Sequence, residues 1–220
     1  SSGEDPLATA TQPGGDPGAT QPAIEPSATR AEESTAQADE ATATATPPGW
    51  SDFNYNGLRF RYPPELFTSF DNQILPAETG EAGMPGWPGS VPEQIQVKIT
   101  GYPLQNTFHT PRINLYPIEV YAAVNSAAGD IAGRLEGVLD QGSFEPKNLP
   151  FLPMFNAGQM FASGAESFPF QNGRGIRFLT CYTQSVIPVD SECLFYTYQG
   201  LTTDGEYYIS AILPVSLPAL

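Results

Sequence analysis

The first 49 residues contain no Phe, Trp or Tyr and consist largely of Ala, Thr, Pro, Gly, Ser, Glu and Asp. Residue 50 is Trp, and aromatic residues recur from there onward. A segment with so little apolar surface cannot bury enough of it to offset the entropy lost on ordering. The sequence therefore predicts a disordered, acidic tether over residues 1–49 and a single folded domain over residues 50–220.

Positive charge and long apolar runs are also scarce. The chain has 9 Lys and Arg residues against 24 Asp and Glu residues, and its formal net charge is −15. Nucleic acids and anionic lipids both favour clustered positive charge, so neither is expected as a partner. No stretch reaches the roughly 20 apolar residues that a membrane-spanning helix needs.

Membrane contact is expected only through a lipid anchor that precedes Ser1. The opening Ser-Ser-Gly-Glu-Asp resembles the small spacer that follows the lipidated Cys of a mature bacterial lipoprotein. The alternative is that this start is an arbitrary truncation point. With the lipoprotein interpretation, we expect an extracytoplasmic, cell-surface or periplasmic location and a removed signal sequence.

Cysteine is limited to Cys181 and Cys193. They lie on successive predicted strands, at positions that a hairpin centred near Ile187 would place opposite each other. An even cysteine count in an exported chain favours a structural disulfide. A catalytic thiol would need a histidine partner, and His109, the one histidine, is distant in sequence.

Recognisable catalytic and cofactor motifs are missing from the sequence. It contains no phosphate loop, no Gly-x-Ser-x-Gly elbow and no metal-ligand cluster. The segment from Asp52 to Gly57 matches the first half of a calcium loop, but Pro63 occupies position twelve, where a bidentate carboxylate is needed. We therefore expect no metal and no cofactor, and we favour a protein that is not an enzyme.

The pattern of apolar residues predicts an α+β domain, mainly an antiparallel sheet with one main helix and one short helix packed on it. Asn56-Gly57 between two aromatic-rich runs predicts a hairpin, because both central residues of a type I′ turn need a positive φ. Pro117 places its strand at an edge or a bulge. The predicted strands are 58–62, 94–101, 112–121, 175–182, 193–201 and 206–213, and the predicted helices are 126–139 and 154–161.

Three side chains are candidate ligand contacts. Trp87 lies in a Pro/Gly-rich loop over residues 76–92, from which aromatic rings often contact ligands; the alternative is a ring that plugs the end of the sheet. Arg59 and Arg61 alternate with apolar residues, so they share one face of a strand and could bind an anion. The alternative for both arginines is an ordinary solvated strand face.

Two resemblances accompany these patterns. The segments 149–160, 170–179, 194–202 and 205–214 resemble a group of uncharacterised exported bacterial proteins, commonly predicted to be lipoproteins with a Thr/Pro-rich stalk. The opening Tyr55-Asn-Gly-Leu-Arg-Phe-Arg-Tyr-Pro63 is more loosely similar to the start of Mog1/PsbP-like domains, which implies an α/β/α sandwich. Neither resemblance implies a catalytic residue.

The sequence leaves three functions open. The first is a non-enzymatic, surface-tethered interaction or assembly module whose partner is an unknown protein or a cell-surface polysaccharide. The second is a sugar- or small-ligand-binding domain, and the third is a hydrolase based on two carboxylates. An apolar surface patch would favour the first, an aromatic-lined pocket the second, and two acids across a cleft the third.

Overall fold

The computed structural model describes residues 49–80, 89–104, 107–185 and 188–216. These residues form β-strands and α-helices in the order β1 (Ser51–Tyr55), β2 (Leu58–Tyr62), β3 (Phe70–Leu75), β4 (Gln94–Ile99), β5 (Arg112–Pro117), α1 (Ile118–Val124), α2 (Ser126–Gln141), β6 (Gly158–Phe170), β7 (Gly173–Thr183), β8 (Leu194–Thr202) and β9 (Tyr207–Pro214). Seven strands form an antiparallel sheet in the order β3-β4-β5-β9-β8-β7-β6, and β1 pairs with β2. The predicted α+β class and mainly antiparallel sheet are confirmed.

The predicted hairpin at Asn56-Gly57 is present. Both turn residues have a positive φ, 46° at Asn56 and 84° at Gly57, and Tyr55 pairs directly with Leu58. Aromatic rings of the hairpin pack against Phe70 at the start of β3, with ring centroids 4.8 to 5.6 Å apart. The hairpin is thus joined to the first edge of the sheet by aromatic contacts.

The C-terminal meander agrees with the sequence prediction. Strands β7, β8 and β9 pair in sequence order, and Gly205 has a left-handed φ of 73° in the turn between β8 and β9. The main helix is also confirmed: α2 spans residues 126–141 and ends at Gly142, whose φ of 64° lets the chain leave the helix.

The position of the short helix was predicted wrongly. Residues 154–161 form no helix, and β6 begins at Gly158. The second helix is α1, which lies in the segment predicted as the end of a strand. Its β-branched residues favour a strand, but Tyr121 is fully buried there and its ring lies 5.1 Å from that of Tyr116, so packing overrides local propensity.

The prediction that Pro117 places its strand at an edge or a bulge was also wrong, because the pairing of β5 with β9 continues in unbroken register to Pro117. Strand β5 lies between β4 and β9, in the interior of the sheet. Pro117 is the last residue of β5 and the N-cap of α1, a position where its missing N–H and fixed φ of −69° are tolerated. The proline therefore ends the strand and starts the helix.

Both described helices lie against the same face of the seven-stranded sheet, which we call the covered face. Apolar residues of α1, α2 and the segment 149–152 form one core cluster with strand residues that alternate onto this face: Tyr116, Ile176, Phe178 and Tyr208. A second cluster contains Phe151, Phe195 and Ile212. The opposite face, which we call the second face, includes Ile74, Ile95, Leu115 and Ile209, and Phe70 meets the hairpin there.

Candidate binding groove

A groove of about 530 Å³ lies between α2 and the turn that joins β8 to β9. Its other walls are the first residue of α1 and the start of β7. Sites for small ligands in proteins commonly enclose about 300–1,000 Å³. The groove is therefore large enough to receive a small molecule or a single side chain.

The floor of the groove is aliphatic, formed by Ile118, Ala132, Leu139 and Leu201. One wall is the backbone of α2 at Gly133, where an added methyl group would meet no heavy atom of the described residues within 4 Å beyond its own helix backbone. At Gly129, one turn earlier, such a methyl group would meet Ala122 at 3.0 Å. Packing against α1 thus explains why residue 129 is a glycine, whereas Gly133 leaves open space beside the helix.

The β8–β9 turn supplies a fixed carboxylate at the rim. The Thr202 hydroxyl donates to Oδ1 of Asp204 at 2.5 Å, and the backbone N–H of Glu206 donates to the same oxygen at 3.0 Å. These hydrogen bonds lower the pKa of Asp204 from its ordinary value, the Thr202 contact contributing most. The Asp204 carboxylate is accordingly ionised at neutral pH.

The remaining charged side chains lie on α2 and β7. Arg174 donates to Oδ1 of Asp140 at 2.5 Å, and both side chains are largely exposed, so this ion pair is a surface contact. Glu136 lies one helical turn before Asp140 and also lines the groove. Within the part of the chain that the structure describes, neither Glu136 nor Asp204 forms an ion pair.

The groove brings together two acids, which is the arrangement expected of a carboxylate hydrolase. Such an enzyme needs one carboxylic acid that keeps its proton near neutral pH, and this requires a raised pKa. The pKa of Asp204 moves the other way. The hydrogen bonding of this carboxylate fits a charged acceptor for a bound group better than a proton donor.

Of the residues predicted from the sequence, Cys181 and Cys193 are brought together. They form a disulfide with their Cα atoms 5.1 Å apart, which confirms the predicted pairing. Cys181 lies near the end of β7, and the groove is at the start of that strand. The disulfide therefore stabilises the end of the sheet away from the groove.

Of the other predicted contacts, Arg59 and Arg61 do not line the groove. Arg59 and Arg61 are exposed on β2 and pair in register with Asn54 and Asp52 of β1. An acid directly across from Arg61 reduces the positive potential that an anion would meet. Trp87 lies outside the described residues, although the bridge between Glu78 and Val91 closes the base of its loop.

The residues of the partial calcium motif lie in β1 and the β1–β2 turn. Asp52 and Asn54 are exposed on β1, and Asn56 occupies the turn, so hairpin formation accounts for the motif. Across the described ranges, no group of three or more His, Cys, Asp or Glu side chains is placed to hold a metal ion.

Sequence reasoning did not identify the groove. The helical pattern places the glycines at positions 129, 133 and 137 opposite the apolar stripe of α2, which predicts only a helix that depends on packing. Asp204-Gly205 predicts only a turn. The pairing of β8 with β9 and the packing of α2 bring Gly133, Glu136 and Asp204 to one place, and no local pattern encodes that contact.

Comparison with known proteins gives no relative: no family model, no curated protein sequence and no solved structure matches the chain. No helix within the described ranges has the length and apolar character to span a bilayer.

Proposed function

We propose that the domain is a non-catalytic binding module that receives a small ligand, or one side chain of a partner, in the groove between α2 and the β8–β9 turn. The observation that carries this proposal is the combination of an aliphatic floor with fixed polar groups at the rim. Binding sites for small groups have this composition, with apolar walls for affinity and a few polar atoms for orientation.

The glycine at position 133 supports the same interpretation. Glycine in the interior of a helix costs about 1 kcal/mol relative to alanine. An alanine methyl group would fit at Gly133 without any close contact to the described residues, so packing does not require glycine there. The absence of a methyl group at position 133 widens the groove and exposes the backbone of α2 to a bound group.

The module is proposed to act outside the cytoplasm, at a cell surface or in a periplasm. The Cys181–Cys193 disulfide supports this, since such bonds persist mainly in oxidising compartments. The composition of residues 1–49 supports a flexible tether, and the proposed lipid anchor would hold that tether at a membrane. The proposed partners are a protein or a cell-surface polysaccharide.

The finer fold assignment is also a proposal. The similarity to Mog1/PsbP-like domains is supported by the N-terminal hairpin pattern and by an antiparallel sheet that carries helices. A sandwich with helices on both faces differs from the described arrangement, in which α1 and α2 join one core cluster. Superposition of an experimental structure on such domains would test the assignment.

The groove can be tested by nuclear magnetic resonance of the full chain. Three probes would be titrated to millimolar concentration: n-butylammonium, n-butyrate and methyl α-glucoside. We expect at least one probe to shift the backbone amide signals of Gly133, Gly173 and Gly205, which line the groove. The variant Gly133→Leu, which places a side chain in the groove, should lose these shifts.

The matched control is Gly137→Leu. Gly137 lies on the same helix and likewise has open space, but it does not line the groove, so this variant should respond to the probes as the natural sequence does. If no probe moves the three groove amides, or if Gly133→Leu responds unchanged, the proposed function is wrong.

A further inference from the structure

We infer that the group received by the groove is a primary ammonium on an aliphatic stem, as on a lysine side chain of a partner protein. This inference rests on the proposed function and adds the chemical class of the ligand. Three features of the groove carry it: its uncompensated charge, the aliphatic character of its floor, and the way the Asp204 carboxylate is already bonded.

The charge of the groove favours a cation. Among the described residues that line it, Arg174 is the one basic side chain, and the ion pair with Asp140 offsets that charge. Glu136 and Asp204 remain, and neither is in an ion pair with any residue in the described ranges. An anionic ligand would meet two carboxylates and a guanidinium that is already engaged, so a phosphate or a carboxylate is disfavoured.

The floor of the groove favours a linear aliphatic segment next to that cation. Ile118, Ala132, Leu139 and Leu201 offer methyl and methylene groups that the four-carbon stem of lysine can cover. A neutral sugar commonly stacks on an aromatic ring, and no aromatic residue is among the described residues that line the groove. The lining thus fits an alkyl chain better than a sugar ring.

The bonding of Asp204 favours an ammonium over a guanidinium. Thr202 and Glu206 both donate to Oδ1 of this carboxylate. A guanidinium binds a carboxylate best through two parallel N–H bonds, one to each oxygen, and would therefore share Oδ1 with two existing donors. An ammonium needs only a single oxygen, so it does not have to share Oδ1 with the existing donors.

The test compares how strongly three small probes bind to the full chain, measured by the same amide signals. Nα-acetyl-lysine methylamide should shift Gly133, Gly173 and Gly205, whereas its Nε-acetylated form, which lacks the charge, should bind at least fivefold more weakly. The arginine analogue should bind more weakly than the lysine probe. Glu136→Gln and Asp204→Asn should each weaken the lysine probe roughly three- to fivefold, the effect expected of one exposed charge pair.

The choice of substitution at Asp204 and one control variant keep the result specific. Asn at position 204 retains an oxygen for the Thr202 and Glu206 donors, so the turn is preserved in that variant. Asp71→Asn removes an acid from edge strand β3, outside the groove, and should leave lysine-probe binding unchanged.

The possible failures are distinguishable. If the acetylated and charged lysine probes bind equally, or if only butyrate or methyl α-glucoside occupies the groove, the ammonium inference is wrong while the proposed function stands. If no probe of either set moves the groove amides, both are wrong.

Discussion

Two neighbouring rows of residues, one on each face of the seven-stranded sheet, invert the usual distribution of polar residues. On the covered face, a row of amides and hydroxyls crosses five neighbouring strands in register: Gln73, Gln96, Asn114, Ser210 and Gln199. On the second face, the adjacent row contains Ile74, Ile95, Leu115 and Ile209. Gln199 is fully buried, whereas Ile74 is 48% exposed. An antiparallel sheet with one solvated face commonly shows the opposite pattern.

The hydrogen bonds of Gln199 explain how a buried amide is tolerated. Its Oε1 accepts from the backbone N–H of Leu152 at 2.9 Å and from the Tyr208 hydroxyl at 2.8 Å. Its Nε2 donates to Thr197 Oγ1 at 2.8 Å and to Ser210 Oγ at 3.0 Å. The Ser210 hydroxyl in turn donates to the carbonyl of Leu152. The polar side chains of the covered face therefore bind the backbone of the loop at Leu152. These hydrogen bonds determine which segment of the chain packs on this face.

The largest expected effect is the loss of the Gln199 network. Gln199→Leu should lower the free energy of unfolding by about 3–5 kcal/mol, because it leaves the Leu152 N–H and the Tyr208 hydroxyl without a partner in the core. Urea unfolding followed by circular dichroism would measure this. Ile209→Val, on the second face, should cost no more than about 1 kcal/mol. Equal losses for the two variants would remove the distinction between the faces.

A second test uses His109, which is buried on the covered side with its ring 4.6 Å from that of Phe195. Its Nε2 has no hydrogen-bond partner in the described part of the chain. Burial, and secondarily the charge of Arg112, lower the pKa of His109 from 6.5 to about 4. The folded protein therefore keeps this imidazole neutral at a pH where the unfolded chain already binds a proton.

The sign of the pH effect follows from that difference. Above pH 6.5 both states hold neutral His109, so its contribution is constant. As the pH falls from 6.5 towards 4, the unfolded state gains a proton first, and stability should drop by up to about 3 kcal/mol. His109→Gln should lose less stability between pH 7 and pH 5 than the natural sequence, measured by urea unfolding in both buffers. If both proteins lose the same stability between pH 7 and pH 5, His109 is solvated in the folded state.

Glycines provide the third test, with an expected effect of about 2 kcal/mol. A methyl group at Gly175 would lie 2.4 Å from the Gln199 carbonyl oxygen and 2.5 Å from the Tyr198 hydroxyl, so Gly175→Ala should lower stability. Gly137→Ala should instead raise it by up to about 1 kcal/mol, because that helical site is open. Thermal melting of both variants would check the two signs. If Gly175→Ala has the same melting temperature as the natural sequence, β7 and β8 must move apart enough to accommodate the added methyl group.

The smallest expected effect concerns the exposed end of the aliphatic row. Ile74→Thr should change the free energy of unfolding by no more than about 0.5 kcal/mol, because nearly half of the side chain is already in water. Chemical unfolding at two protein concentrations would measure it. A loss of several kcal/mol, or one that depends on concentration, would show that this part of the second face is covered in solution.

The elements governed by local rules were predictable from the sequence. The Asn56-Gly57 turn, the C-terminal meander and most of α2 follow from turn chemistry and periodicity over a few residues. The disulfide follows from the even cysteine count and from the two successive predicted strands that carry Cys181 and Cys193. Helix α1 was missed because Ile118, Val120 and Val124 favour a strand, and the helix is stabilised by tertiary contacts such as the burial of Tyr121 against Tyr116. The sequence alone does not reveal that contact.

The covered face and the groove depend on register, which sequence reasoning did not supply. In the sequence, Gln199 looks like an ordinary polar residue of a strand. Its role is to bind the backbone of Leu152, which is 47 residues away. Glu136 and Asp204 are likewise far apart in sequence, and both line the groove because α2 packs beside the β8–β9 turn. The candidate site therefore could not be predicted, although the fold class could.

Strand β6 has a consequence for how such domains behave when many are held close together. Its pairing with β7 shifts register twice, between Gln159 and Phe161 and between Ser163 and Glu166. The longest regular run is therefore residues 166–170, and Pro169 in that run has no N–H to donate. A strand from a neighbouring molecule would find too few aligned donors and acceptors along this edge. Crowded copies should thus resist merging into a continuous intermolecular sheet.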